Sequence, residues 1–343
     1  MNLARWLAIC VVLLSGAATV VPAAEPRSRA DAMKDFVRPE ATPFPASNPY
    51  EARKAQLGQM LFFEPRLSGS KWISCATCHN PSLSWGDGLP RGIGQGMKTL
   101  GRRTPTILNL AWADLVMWDG RKTGLEDQVF GPMTSAAEMN SSIDEVVGRI
   151  SAIGAYQREF KKVFGDEGVS ARTIPLAIAT YERTIVSGKA PFDRWIGGDE
   201  SAISDDAKRG FDVFTGKGNC AACHTGWNLT DNSFHDIGLP DKDIGRGEWL
   251  KVQSMQHAFK TPTLRDVDRR GPYMHDGSLA TLAEVIDHYD SGGTERSSLS
   301  NEMRPLHLTA AEKQALLAFL GTLTSDDPPV TLPVLPNPQL SSR

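Results

Sequence analysis

The stretches "CATCH", Cys75 to His79, and "CAACH", Cys220 to His224, decide how this chain is to be read. In C-x-x-C-H the two thiols add across the vinyl groups of a haem, and the adjacent histidine is thereby held under the iron. The chain has five cysteines. Cys10 lies in an amino-terminal apolar segment, and the other four all belong to the two motifs. Two disulfides are the ordinary alternative in an exported chain, and structural zinc is another, but zinc wants Cys and His pairs whose spacing closes a four-ligand shell. Two complete motifs predict two covalent haem c groups, tethered by Cys75 and Cys78 and by Cys220 and Cys223, with His79 and His224 as proximal iron ligands.

The surroundings of the motifs repeat as well. "GQMLFF", Gly58 to Phe63, precedes the first, and "GFDVF", Gly210 to Phe214, precedes the second, each at the end of an amphipathic segment. The motifs stand 145 residues apart (220 minus 75). This spacing suggests a duplicated single-haem domain. The polar, Gly- and Ser-bearing stretch "RWIGGDESAISDDAK", Arg194 to Lys208, puts the boundary near Gly198, with an N-terminal domain over residues 25–198 and a C-terminal domain over 199–343.

Helical periodicity is clear in "IDEVVGRISAI" from Ile143 and "TIPLAIATYERTIV" from Thr173. The last helix opens on a capping box formed by Thr309 and Glu312. No run alternates like a strand, and the Pro-rich tail after Asp326 is expected to be extended. The glycine-rich loop "GLPRGIGQGMKTLG", Gly88 to Gly101, lacks the third glycine of a nucleotide fingerprint and is expected to form a mobile cover over the first haem.

Composition narrows the class. With 343 residues, 41% hydrophobic and 22% charged, the chain can bury one large core or two ordinary ones. A net charge of -3 without a long run of one sign gives no footprint for nucleic acid and no polybasic membrane patch. "MNLARWLAICVVLLSGAATVVPAA" has the pattern of a secretory signal peptide, residues 1–24, cleaved near Ala23, which implies a periplasmic protein. Its apolar run is short for a membrane span, so no stable insertion is expected, an uncleaved anchor being the alternative.

From "LGQMLFFEPRLSGSKWISCATCHNP" through "GRRTPTILNL", "MWDGRKTGLEDQVFGPMTSAAEMN" and "FKTPTLRDV" to "GPYMHDGSLATL", the sequence resembles the bacterial di-haem cytochrome c peroxidases and their MauG-like relatives. The resemblance implies an all-α fold of two cytochrome c-like domains joined by long irregular loops. It implies a peroxide-using oxidoreductase. Trp118 matches the family's tryptophan between the haems. Gln128 and Glu138 match the polar pair over the open face of the first haem, where a carboxylate can take a proton from one peroxide oxygen and return it to the other. Pro132 matches a position that restricts access.

Four positions depart from the conventional pattern. Where many relatives have a haem-capping histidine, sixteen residues after His79, this chain has Gln95, which predicts an open first haem; Met97 is a substitute cap. Fourteen residues after His275, where conventional peroxidases carry a methionine ligand, stands Tyr289, the ligand type of the MauG-like branch; its neighbour His288 is the alternative. A phenolate favours ferric and higher-valent iron, whereas a thioether favours ferrous. The family's calcium is expected to be weakened by Arg103 and Arg270, which put positive charge in two of its ligand segments.

The sequence therefore points to a di-haem peroxidase that takes hydrogen peroxide and a redox partner protein. In the preferred subtype the partner is itself the oxidised substrate. In the alternative a small cytochrome c or copper protein donates electrons to detoxify peroxide, and the remaining reading is a non-enzymatic electron carrier. His235 and His257 are expected at the surface or on haem propionates, and His307 in an exposed loop.

Overall fold

The computed structural model describes residues 28–337, so the predicted signal peptide, with Cys10 and the cleavage near Ala23, lies outside the described residues. The chain is helical and loop-rich. The helices are α1 Arg29–Met33, α2 Ala52–Phe62, α3 Cys75–Cys78, α4 Gly124–Gln128, α5 Phe130–Thr134, α6 Ile143–Ser151, α7 Gly154–Phe164, α8 Thr173–Arg183, α9 Pro191–Ile196, α10 Asp205–Thr215, α11 Leu282–Ser291 and α12 Ala310–Gly321. Among the described residues, strands are confined to two two-residue antiparallel pairs, Leu115–Val116 with Lys122–Thr123 and Phe234–His235 with Phe259–Lys260. This is the all-α architecture expected.

Capping fixes where the longer helices begin. Ser142 and Glu145 form a reciprocal box at α6, Thr281 and Glu284 at α11, and Thr309 and Glu312 at α12. Each box satisfies two amide groups that would otherwise have no partner. The periodic stretch from Thr173 becomes α8, which is buried along nearly its whole circumference.

Each half of the molecule is built on one helix crossing. Gly58 of α2 rests on the backbone of Ala177 in α8, and Gly210 of α10 rests on Ala315 in α12. A methyl group on either glycine would lie 2.6 Å from that carbonyl carbon, and 2.9 or 2.7 Å from the Cβ of the aromatic residue one turn on, Tyr181 or Phe319. Ala177 and Tyr181, like Ala315 and Phe319, are four apart and so share a helix face. The contexts "GQMLFF" and "GFDVF" that repeat in the sequence are these two crossings. Around them lie two apolar cores, one including Leu57, Leu61, Phe62 and Ile178, the other Phe192, Trp195, Phe211 and Phe319.

Core membership does not change at Gly198. Ala32 and Phe36, near the amino end, belong to the second core, as do Phe192 and Trp195. Arg29 pairs with Asp212 of α10. Conversely, after α12 the chain returns to the first half: Val330 packs on its core, and the carbonyls of Thr331 and Pro336 accept from Gln59 (3.1 Å) and Arg66 (2.9 Å). The physical reason is apolar complementarity, since Phe36 packs edge-on against Phe192 and Phe211 at 5.8 and 5.5 Å.

Candidate active site

Between the two halves runs a cavity of about 690 Å³ whose wall includes both C-x-x-C-H motifs. At one end are Cys75, Cys78 and His79, which sit on and just after α3, and at the other Cys220, Cys223 and His224. The four cysteines of the motifs stand as free thiols. Burial pushes the Cys78 thiol up to about 11 and the Cys220 thiol up to about 12.

Both histidines are set to bind iron through Nε2. The Nδ1 of His79 faces the carbonyl of Trp85 at 3.2 Å, and that of His224 faces the carbonyl of Leu229 at 3.0 Å. A carbonyl on Nδ1 fixes the tautomer and leaves the other nitrogen lone pair for a metal. Burial lowers the pKa of both rings, which favours the neutral form that ligation requires. Two thiols, an oriented neutral imidazole and an apolar wall recur at each end, so the residues present fit two haem c groups.

The first end carries the predicted polar pair. Gln128, at the end of α4, and Glu138 both line the cavity, with Pro132 beside them. The amide of Gln128 points to the thioether of Met117, 3.7 Å away. The loop over this end is tied down by backbone hydrogen bonds. Gln95 donates its backbone N–H to the carbonyls of Ala137 and Glu138 at 3.0 and 2.8 Å, and Ile93 bridges Thr99. Gly94, not Gln95, reaches the cavity, and Met97 is 68% exposed on the outer surface.

At the second end the two candidate ligands separate. Tyr289 lines the cavity, among apolar side chains that include Val285, Ile286 and Leu320. Burial raises its hydroxyl well above the usual phenol range. His288, one position earlier and so about 100° round the helix, is not among the wall residues; its Nε2 lies 2.8 Å from the carbonyl of Ile237.

Trp118 stands where the halves meet. Its indole N–H donates to the carbonyl of Arg103 at 2.8 Å, its ring lies edge-on to His275 at 6.4 Å, and its carbonyl receives the N–H of Lys260 at 2.8 Å. His275 is stacked on Phe259 with centroids 3.5 Å apart, and its backbone carbonyl accepts from Arg103 at 2.7 Å. Arg103 and Arg270, expected from the sequence only as obstacles to calcium, are both buried in this same wall.

Of the two places expected for His235, the structure puts it on the cavity side and only partly exposed. It lines the cavity beside Cys223 and bonds the carboxylate of Asp231 at 2.7 Å, which, with Cys223 as the next largest influence, raises its pKa to about 10. His257 is half-buried with Nδ1 2.9 Å from the Asp243 carbonyl, and His307 is exposed as expected. The sequence reading missed Glu182, a buried carboxyl of α8 in the cavity wall whose pKa burial raises to about 8, and Lys260, whose pKa burial lowers to about 8. A carboxylate inside the apolar stretch "TIPLAIATYERTIV" was the available signal for Glu182.

Comparison with known proteins agrees with this geometry. Residues 52–201 match the family model described as di-haem cytochrome c peroxidase, and residues 207–324 match cytochrome c. The chain is 52% identical over 333 residues to the methylamine utilization protein MauG of Methylorubrum extorquens, covering 96% of this chain and 94% of that one. It is 35% identical over 300 residues to the cytochrome c551 peroxidase of Nitrosomonas europaea, covering 86% of each. Among solved structures, a MauG-like protein associated with microbial copper homeostasis superposes with a TM-score of 0.78 at 31% identity, over 85% of this chain and 94% of that one. A histidine-anchored haem site at each end of one cavity, with these relatives on both sides of it, makes the chain a member of the di-haem cytochrome c peroxidase family, an oxidoreductase acting on hydrogen peroxide and closer to MauG than to the conventional peroxidases.

Proposed function

We propose that this is an exported, periplasmic enzyme that reduces hydrogen peroxide at its first haem and takes the electrons from a residue on a partner protein by way of its second. The observation that carries this reading is Tyr289 in the cavity wall with His288 turned to the Ile237 carbonyl. A buried phenol surrounded by apolar groups resists ionisation, so a phenolate there needs a strong Lewis acid, and ferric iron is one. Such a ligand holds iron in its oxidised states and suits a haem that stores oxidising power.

When bound, the haem pair supplies the iron that activates peroxide and the store for two oxidising equivalents. The protein's part is proton handling and positioning. Glu138 takes the proton from the near oxygen of peroxide and returns it to the departing one, while Gln128, oriented by Met117, holds the peroxide by its amide. Trp118 passes electrons between the two ends, and its indole N–H is fixed by the Arg103 carbonyl. Over one turnover the O–O bond breaks, two electrons and two protons leave the partner residue, and two waters form.

The test is a spectroscopic redox titration of the purified holoprotein that follows each haem separately. Both haems staying ferric to low potential, with the first high-spin at rest, supports the proposal. A second haem that reduces at high potential with a methionine-type spectrum, together with rapid peroxide turnover on reduced cytochrome c, replaces it with the conventional peroxidase.

A further inference from the structure

Two buried arginines of the cavity wall carry no acidic partner among the described residues. Arg102 is held by Asp119 at 2.6 Å and Asp243 at 2.7 Å, and Arg265 by Asp193 at 2.8 Å. Arg103 and Arg270, each 6% exposed, make no ion pair among the described residues. Arg103 donates through Nη2 to the backbone carbonyl of Arg270, and its Nε has no partner. Arg270 in turn donates to the carbonyl of Thr263 at 2.5 Å. Carbonyl dipoles do not by themselves neutralise two buried positive charges, so the site favours an anion beside them.

The resemblance to di-haem peroxidases implies a calcium at this junction that Arg103 and Arg270 are expected to weaken, and the residues present do not fit the ion. A hard cation wants several oxygen ligands. Here the Arg270 carbonyl is already taken by a guanidinium, and a second guanidinium lies beside it, so a divalent ion would meet two positive charges and a spent ligand.

We infer that the Arg103 guanidinium replaces the metal: it is the cation that ties residues 101–105 to residues 263–275 between the haems, with haem propionates as its counter-ions. The same residue's backbone holds the site together on both sides, accepting from Trp118 at 2.8 Å and donating to His275 at 2.7 Å. Unlike a bound ion, this bridge cannot be stripped by chelation. Its charge does not depend on calcium supply.

The experiment uses the holoprotein as isolated. Metal analysis after gel filtration should find calcium far below one per chain, and prolonged EGTA treatment should leave the absorption and electron paramagnetic resonance spectra unchanged. In Arg103→Asn, loss of the positive charge should shift at least one haem potential downward and perturb the haem spectra, whereas Arg103→Lys should keep most of the parent potential. One calcium per chain, with spectra that change on its removal, overturns the inference. So do potentials in Arg103→Asn equal to the parent's. Should Arg103→Asn fail to accumulate, the metal analysis and chelation of the parent decide alone.

Discussion

Replacing Gly210 with alanine sets two well-measured effects against each other. In a helix interior alanine is favoured over glycine by about 1 kcal/mol, so propensity alone predicts a more stable protein. Packing predicts the reverse. The new methyl group would lie 2.6 Å from the carbonyl carbon of Ala315 and 2.7 Å from the Cβ of Phe319. The Ala315 carbonyl oxygen lies closer still, so to restore an ordinary contact of 3.4 Å α10 and α12 must part by well over the 0.8 Å that would clear the carbon alone. Neither obstacle is the tip of a flexible side chain, so rotation cannot relieve the overlap. Overpacking of this kind costs about 3 kcal/mol at the upper end of its usual range, and a gap approaching 1 Å forfeits up to half the dispersion energy of the contacts it opens. The net expectation is a loss of about 2 kcal/mol, or a Tm lower by about 4–8 °C. Because Leu316 and Leu320 of α12 line the second end of the cavity, the spectrum of the second haem should change as well. Gly148 of α6 is the control, since a Cβ there meets nothing within 4 Å. Gly148→Ala should hold or raise the Tm. Thermal unfolding of the two holoproteins, followed by circular dichroism and by Soret absorption, makes the comparison. A Gly210→Ala protein as stable as the parent, or more so, would refute the close-contact argument.

Three further outcomes are expected. Tyr289→Met should raise the potential of the second haem and abolish oxidation of the partner protein, read by redox titration and by mass analysis of the partner. Glu138→Gln should slow the reaction with peroxide by about 10²–10⁴-fold in stopped-flow while leaving the resting spectra unchanged. Glu182 has a carboxyl pKa raised by burial from 4.5 to about 8, so the folded state keeps its proton where the unfolded state has lost it. Stability should therefore fall as pH rises between about 4.5 and 8, by at most about 1.4 kcal/mol per pH unit, and level off above that range. Glu182→Gln should remove this slope in denaturant titrations; an unaltered slope would mean that other groups produce it.

What the sequence made legible was local. The haem attachments are written in five consecutive residues each, and the box at Thr309/Glu312 acts within one helical turn. Those features survive folding because nothing distant is needed to form them. Arg103 is different. Its meaning depends on Arg270, 167 residues away, and a carbonyl has no side-chain signature. The sequence reading of both arginines as merely hostile to calcium was correct about the charge and silent about the bond. Of the two places expected for His235, surface or haem propionate, the sequence could not choose, since its place in the cavity follows from Asp231 and the short pairing of Phe234–His235 with Phe259–Lys260. The loop at Gly94 likewise looked mobile by composition, yet it is held by backbone hydrogen bonds to Ala137 and Glu138 that composition does not reveal.

The exchange of chain ends between the halves makes the molecule a clasp. Phe36 is synthesised long before Phe211 and Phe319, with which it shares a core, and Val330 arrives long after the core it covers. Neither half can finish its surface until the ribosome has released the whole chain. A nick in the exposed stretch near Gly198 would leave fragments that each retain a piece of the other, so they should stay joined under native conditions and separate only on denaturation. The two haems are then kept in register by the ends of the polypeptide as well as by the wall between them.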